Sequence, residues 1–212
     1  PRAEDVRDIA AVVKSAKTLA DHVLVTIHAH EQGRELTEPA QFLPTFAHAM
    51  IDAGADLFVG HGPHVLRGIE IYKGRPILYS LGDFVFQNET LLRYPSDNYE
   101  EQNLADDAQP NDYLNRRYNF DKSGFPAERM IWESVVATAR FDNGKLAELA
   151  LHPISLGFGA PRQTRGRPML ADAPLAQKIL DDLTRLSAPY GTRLSVRDGV
   201  GYVALGGSSS QP

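Results

Sequence analysis

Two short apolar runs, each ending at a histidine, constrain this chain most. Val23-Leu24-Val25-Thr26-Ile27 leads into His28, and Asp56-Leu57-Phe58-Val59-Gly60 leads into His61. Both runs are short and rich in β-branched or large apolar residues, the pattern of strands buried on both faces. Helical periodicity surrounds them. Val6, Ile9, Val13, Ala16 and Ala20 recur at spacings of three and four, predicting a helix over about Glu4 to Ala20. Phe42, Phe46, Ala49 and Ala53 mark a second, with Gly54 as its C-terminal stop and Pro44 either in its first turn or kinking it. The order helix, strand, helix, strand with short connections predicts a parallel α/β unit, and ligands of such sheets gather where strands end.

Beyond residue 61 the pattern changes. Gly68 to Tyr72 and Pro76 to Ser80 flank Lys73-Gly74-Arg75 and predict a hairpin. Ser134 to Phe141 and Lys145 to Leu151 predict another around Asp142-Asn143-Gly144. A helix is expected over Ala173 to Leu186, with short strands near Arg193 to Val196 and Tyr202 to Leu205. Residues 87–129 are polar and weakly periodic and read as a long loop, a lid or an insertion. Residues 206–212 read as a disordered tail.

Composition removes several function classes. The chain has 212 residues and a net charge of −5, so it lacks the basic surface that nucleic acid or an anionic membrane requires. It has no cysteine, which excludes disulfides, thiolate ligands and a cysteine nucleophile. No apolar run reaches the roughly 20 residues of a membrane span. Pro1-Arg2-Ala3-Glu4-Asp5 opens directly into helical sequence, from which upstream residues are expected.

Three groups of residues can carry chemistry. In His28-Ala29-His30-Glu31, an extended backbone sends His28 and His30 to the same side, where imidazoles bind borderline metals or move protons near neutral pH. The alternative is a pair of loop histidines with no shared task. In Gly60-His61-Gly62-Pro63-His64, two glycines and a proline force a tight turn that can aim both histidines at one point. The alternative is a turn whose histidines bond carbonyls. In Ser80-Leu81-Gly82-Asp83-Phe84, Asp83 follows a strand and a glycine and serves as a ligand, an acid or a turn cap. Glu31, Glu35 and Glu70 read as surface charges, and His22, His48 and His152 as structural.

These motifs, together with Ile51-Asp52-Ala53-Gly54-Ala55-Asp56 before the turn and Val65-Leu66 after it, resemble the CapA-type family of capsule and poly-γ-glutamate synthesis proteins around its GHxPH signature. Gly68-Ile69-Glu70 and Ile77 to Phe84 extend the match in the same order, and Ile27-His28 resembles the family's strand-end histidine block. The resemblance covers residues 20–90. It implies a metallo-dependent phosphatase-like α/β fold of two packed sheets flanked by helices, with residues 1–205 as the C-terminal part of that domain and its N-terminal portion absent. It further implies His28, His61 and His64 as metal ligands, for zinc, manganese or iron, and His30, His61 and His64 as catalytic groups. Glu31, Arg67 and Asp83 would face the substrate. The family's early carboxylate-bearing blocks are absent, Ala29 stands where the family has Trp, and Gly82-Asp83 occupies a late block that usually reads Gly-Asn. The three histidines could hold one zinc but would make a poor two-metal centre.

The function so implied is a metal-assisted hydrolase or transferase acting on an anionic envelope polymer or its precursor, located at the cell envelope and working with other capsule synthesis subunits. Two alternatives stay open: a non-catalytic scaffold of a polymer synthesis or export complex, and a metal-free enzyme using histidine acid–base chemistry.

Overall fold

A computed structural model describes residues 1–105 and 107–205; the tail expected over 206–212 lies outside the described residues. The N-terminal helix α1 spans Ala3–Lys17, with Glu4 and Asp5 at its positive end and Lys14 and Lys17 at its negative end. Strand β1 (Leu24–His28), helix α2 (Phe42–Asp52) and strand β2 (Leu57–His61) follow as the predicted parallel unit. Pro44 falls in the first turn of α2, where its missing N–H costs nothing. Gly54, at φ +113°, lets the chain leave the helix into β2. Strands β3 (Ile69–Tyr72) and β4 (Arg75–Leu78) form the first predicted hairpin.

These four strands make one sheet in the order β1-β2-β4-β3, with β3 the only one running against its neighbour. Val13 of α1 and Leu43, Phe46, Ala47 and Met50 of α2 pack with Phe58, Ile77 and Tyr79 on one face of that sheet. Its other face, through Ile69 and Leu78, joins the second sheet and a C-terminal helix in a separate core.

Residues 87–129 differ from the loop the sequence predicts. They contain helices α3 (Ser96–Glu101) and α4 (Pro110–Arg117) and a small core of Tyr113, Leu114 and Tyr118, with Tyr94, Tyr99, Leu104 and Phe125 around it. Pro110 at the first turn of α4 and the reciprocal Gln109–Asp112 capping box were legible signs of a helix. Arg165, 3% exposed, pins this segment by pairing with Glu89 at 2.5 Å and Asp121 at 3.1 Å.

The second sheet is built from β5 (Glu133–Asp142), β6 (Lys145–Ser155), β7 (Met169–Leu170), β8 (Leu194–Arg197) and β9 (Val200–Val203). Its order is β5-β6-β9-β8, with β7 added to the far end of β6. Asn143 and Gly144 both adopt positive φ in the predicted turn. The last two strands are shifted from their predicted limits because Asp198-Gly199, both at positive φ, is itself the hairpin turn. Helix α5 (Ala173–Ser187) is capped by Asp172, whose side chain accepts the Leu175 N–H at 3.0 Å, and buries Ile179, Leu180 and Leu183 between the sheets. The chain is therefore α/β, with two multi-stranded sheets flanked by helices.

Candidate functional site

Register brings the histidines together. β1 and β2 are parallel, with Leu24 opposite Leu57 and, at the far end, His28 opposite His61. Cα partners in adjacent strands point side chains the same way, so both imidazoles leave the same edge of the sheet. Their Nδ1 atoms lie 2.9 Å apart. His30, two residues on, returns to that side, and its Nε2 is 2.8 Å from the Nε2 of His28. His61, His28 and His30 thus form one line of ring nitrogens.

The turn after β2 places His64. The Ala29 N–H donates to the His61 carbonyl at 2.8 Å, locking the two strand ends together. Gly62 lies at φ +119°, and a Cβ there would sit 3.1 Å from the Ala29 nitrogen, so only glycine fits. His64 itself adopts φ +62°, an uncommon conformation for a residue with a side chain, of the kind that concentrates at functional sites. Its ring lies 5.6 Å from that of His30, and Phe86 and Phe125 wall it at 5.8 and 5.2 Å. Phe125 belongs to the 87–129 segment, so that segment contacts the site directly. Both carboxylate oxygens of Asp83 accept from His64 Nδ1, at 3.1 and 3.0 Å, which fixes the tautomer and leaves Nε2 free.

The electrostatics are unequal across the cluster. Partial burial, and next the charge His28 would carry, hold the His61 imidazole below the ordinary histidine pKa, so it is neutral at pH 7. Burial pushes the Asp83 carboxyl up, against the pull of His64. Beside His61, Gly60, Leu81, Gly82, Phe84 and Ser134 line a cavity of about 290 Å³.

The other expected site residues are placed differently. The Glu31 side chain is exposed on the loop after His30. Arg67 is fully buried. It donates from Nε to the Leu36 carbonyl at 3.1 Å and from Nη2 to the Glu31 carbonyl at 3.0 Å, while Nη1 has no partner among the described residues. Arg67 therefore holds the 31–36 loop that follows His30 from beneath. The structure also pairs two residues that read as unrelated in the sequence. His48 Nε2 contacts both oxygens of Glu70, at 2.9 and 3.0 Å, and Tyr79 donates its hydroxyl to the same carboxylate at 2.5 Å. No local signal announces this, because the three residues lie on α2, β3 and the chain after β4.

A zinc, manganese or iron ion needs about three protein donors aimed at one point. His28 meets His61 and His30 through opposite edges of its ring, and His64 Nδ1 is engaged by Asp83. Among the described residues, no three His, Asp or Glu groups converge as a metal site requires.

Residues 1–88 match the family model described as bacterial capsule synthesis protein PGA_cap. An uncharacterized protein of Sinorhizobium fredii, y4sH, is 44% identical over 212 residues, covering 95% of this chain and 45% of that protein. The PGA biosynthesis protein CapA of Bacillus subtilis is 49% identical over 76 residues, covering 35% of this chain and 19% of the relative. The capsule biosynthesis protein CapA of Bacillus anthracis is 43% identical over 81 residues, covering 38% and 19%. The chain spans less than half the length of these relatives. Residues 1–88, which carry all four clustered histidines together with Arg67 and Asp83, are thus similar to the CapA-type, or PGA_cap, family of capsule synthesis proteins.

Proposed function

We propose that this chain is the histidine-bearing portion of a capsule or poly-γ-glutamate synthesis protein, acting as a hydrolase or transferase on an anionic envelope polymer or its precursor. The observation that carries this reading is the continuous arrangement His61–His28–His30 beside the His64–Asp83 pair, at the ends of two parallel strands in a strained turn. His64, held by Asp83, takes the proton of an attacking nucleophile on its free Nε2, and the carboxylate stabilises the imidazolium so formed. The linked histidines offer N–H donors to the anionic group of the substrate. His30 relays protons to solvent. Zinc, manganese or iron would need donors beyond those that the described residues bring to one point. No helix among the described residues is long and apolar enough to cross a membrane, and action at the cell envelope rests on the family.

A non-catalytic scaffold in a synthesis or export complex is the second reading. It is favoured by the exposure of His28, His30 and His61. Turnover decides between the two. Incubation with γ-linked glutamate oligomers and with simple phosphoesters is expected to release product from the native chain. His64→Ala and Asp83→Asn are expected to lower the rate by about 100-fold or more, the usual contribution of a positioned acid–base group. No turnover of either substrate class would leave the scaffold.

A further inference from the structure

At the other end of the first sheet lies a cavity of about 970 Å³. Lys73 and Arg75 of the β3–β4 hairpin, Lys145 at the start of β6 and Arg193 before β8 all line it, and among the described residues no carboxylate does. β4 runs parallel to β2, so the turn that begins β4 sits level with Asp56, five residues before His61. At about 3.3 Å per residue the cavity is roughly 16 Å from the histidines along the sheet. It is a separate place, not an extension of the site described above.

Four cations facing one space is uneven for a chain of net charge −5. Two of them have internal partners: Lys73 Nζ lies 2.6 Å from Asp52, and Arg75 Nη1 lies 2.9 Å from Asp56. Lys145 and Arg193 are exposed and form no ion pair among the described residues. Thr192, 5% exposed, also lines the cavity, and its hydroxyl lies buried in the wall without a hydrogen-bond partner among the described residues. Ile71, Leu146 and Leu205 supply an apolar floor. An opening with unpaired cations at its rim, an unsatisfied donor in its wall and a partly apolar floor suits an extended anion with methylene spacers, and suits a compact, strongly hydrated one less well.

We propose that this cavity binds a polycarboxylate chain, gripping side-chain carboxylates with Lys145 and Arg193 while its methylenes lie on Ile71, Leu146 and Leu205. The identity of the ligand rests on the capsule-polymer reading; the existence of an anion site does not. The cavity would hold a length of polymer away from the histidines, so that it raises affinity for long chains without taking part in the chemistry.

The test is calorimetric titration with a γ-linked glutamate decamer, at low and at physiological salt, with glutamate monomer and inorganic phosphate as comparison ligands. The double variant Lys145→Gln/Arg193→Gln alters only exposed side chains and is expected to bind the decamer about tenfold or more weakly, with a shallower salt dependence. Arg7→Gln/Lys14→Gln, which removes two exposed cations of α1 outside the cavity, is expected to bind as the native chain does. Equal binding by the Lys145→Gln/Arg193→Gln variant, the same loss of binding in Arg7→Gln/Lys14→Gln, phosphate binding as tight as the decamer's, or no decamer binding at all would each overturn the proposal. Binding lost in the Lys145→Gln/Arg193→Gln variant without any turnover would overturn the acid–base reading and leave this one standing. Turnover with binding unchanged in that variant would do the reverse.

Discussion

Asp56→Asn tests whether one buried carboxylate sets the register that aligns the two histidine-bearing strands. Asp56 is 1% exposed. Its N–H donates to the Val23 carbonyl at 2.8 Å, and its Oδ2 accepts the Val23 N–H at 2.8 Å and Lys17 Nζ at 2.6 Å. This closed pair starts the ladder that ends with His28 opposite His61. Arg75 Nη1 lies 2.9 Å from Oδ1 as an ion pair, but it donates its hydrogen bond to the Gly144 carbonyl at 2.7 Å, which leaves Oδ1 without one. The asparagine keeps an acceptor for Val23 but loses the charge that two cations face. Removing one member of a fully buried pair costs about 3–5 kcal/mol. Lys17 and Arg75 remain 36% and 26% exposed, so water takes over part of their solvation and the loss should be smaller, about 2 kcal/mol. For a chain of this size that is a fall of about 4–8 °C in Tm. Burial alone would raise the Asp56 pKa, but the Lys17 bond, the Val23 N–H and the Arg75 charge together hold it below the usual carboxylate range. A depressed folded pKa contributes stability above the unfolded pKa, near 3.9, that is lost as pH falls through the folded value. Urea unfolding of both proteins from pH 7 to pH 3 should therefore show a difference that is constant to about pH 5 and shrinks below about pH 4. A loss under about 0.5 kcal/mol at pH 7, within the ordinary scatter of surface substitutions, would refute the reasoning. So would a difference that persists unchanged at pH 3.

Two further outcomes follow from the site's construction. A Cβ at Gly60 would lie 2.5 Å from the Tyr79 carbonyl oxygen, so Gly60→Ala must push β2 from the chain beyond β4 and should cost about 2–3 kcal/mol. At Gly74 nothing lies within 4 Å, and Gly74→Ala should cost only about 1 kcal/mol for its positive φ; chemical denaturation compares the two. The depressed pKa of His61 means that the unfolded chain binds its proton more readily, so the native state loses stability as pH falls below about 6.5. Thermal unfolding from pH 8 to pH 5 should show that decline, and His61→Gln should flatten it; an unchanged slope in the variant would assign the decline to other groups.

Much of this was legible before the structure, and the reason differs by region. The β1–α2–β2 unit declares itself locally, through two apolar runs, a helical stripe, Pro44 and Gly54, and the strand-end histidines follow from it. The His64–Asp83 contact is separated by 19 residues and a hairpin, yet both partners stood out, His64 in the glycine- and proline-restricted turn after β2 and Asp83 after a strand and a glycine. The family resemblance alone puts Arg67 toward the substrate. Nothing local says that its guanidinium tucks under a loop thirty residues earlier. The folding of residues 87–129 was hidden for a related reason. Its core is made of tyrosines spaced too irregularly to show a period, and its anchors, Arg162 and Arg165, come from beyond β6. The cationic cavity was invisible because its four charges come from three separate turns that only the packing of the two sheets brings together.

The most direct test of the central claim, that four histidines form one linked site, is side-chain ¹H–¹⁵N spectroscopy of the imidazoles at neutral pH, in the native chain and in His61→Ala. His64 is expected to carry its proton on Nδ1, toward Asp83. Removing His61 is expected to move the ring nitrogen signals of His28 and His30 while His22 and His152 stay in place. Unshifted signals from His28 and His30 in the variant would contradict the linked site.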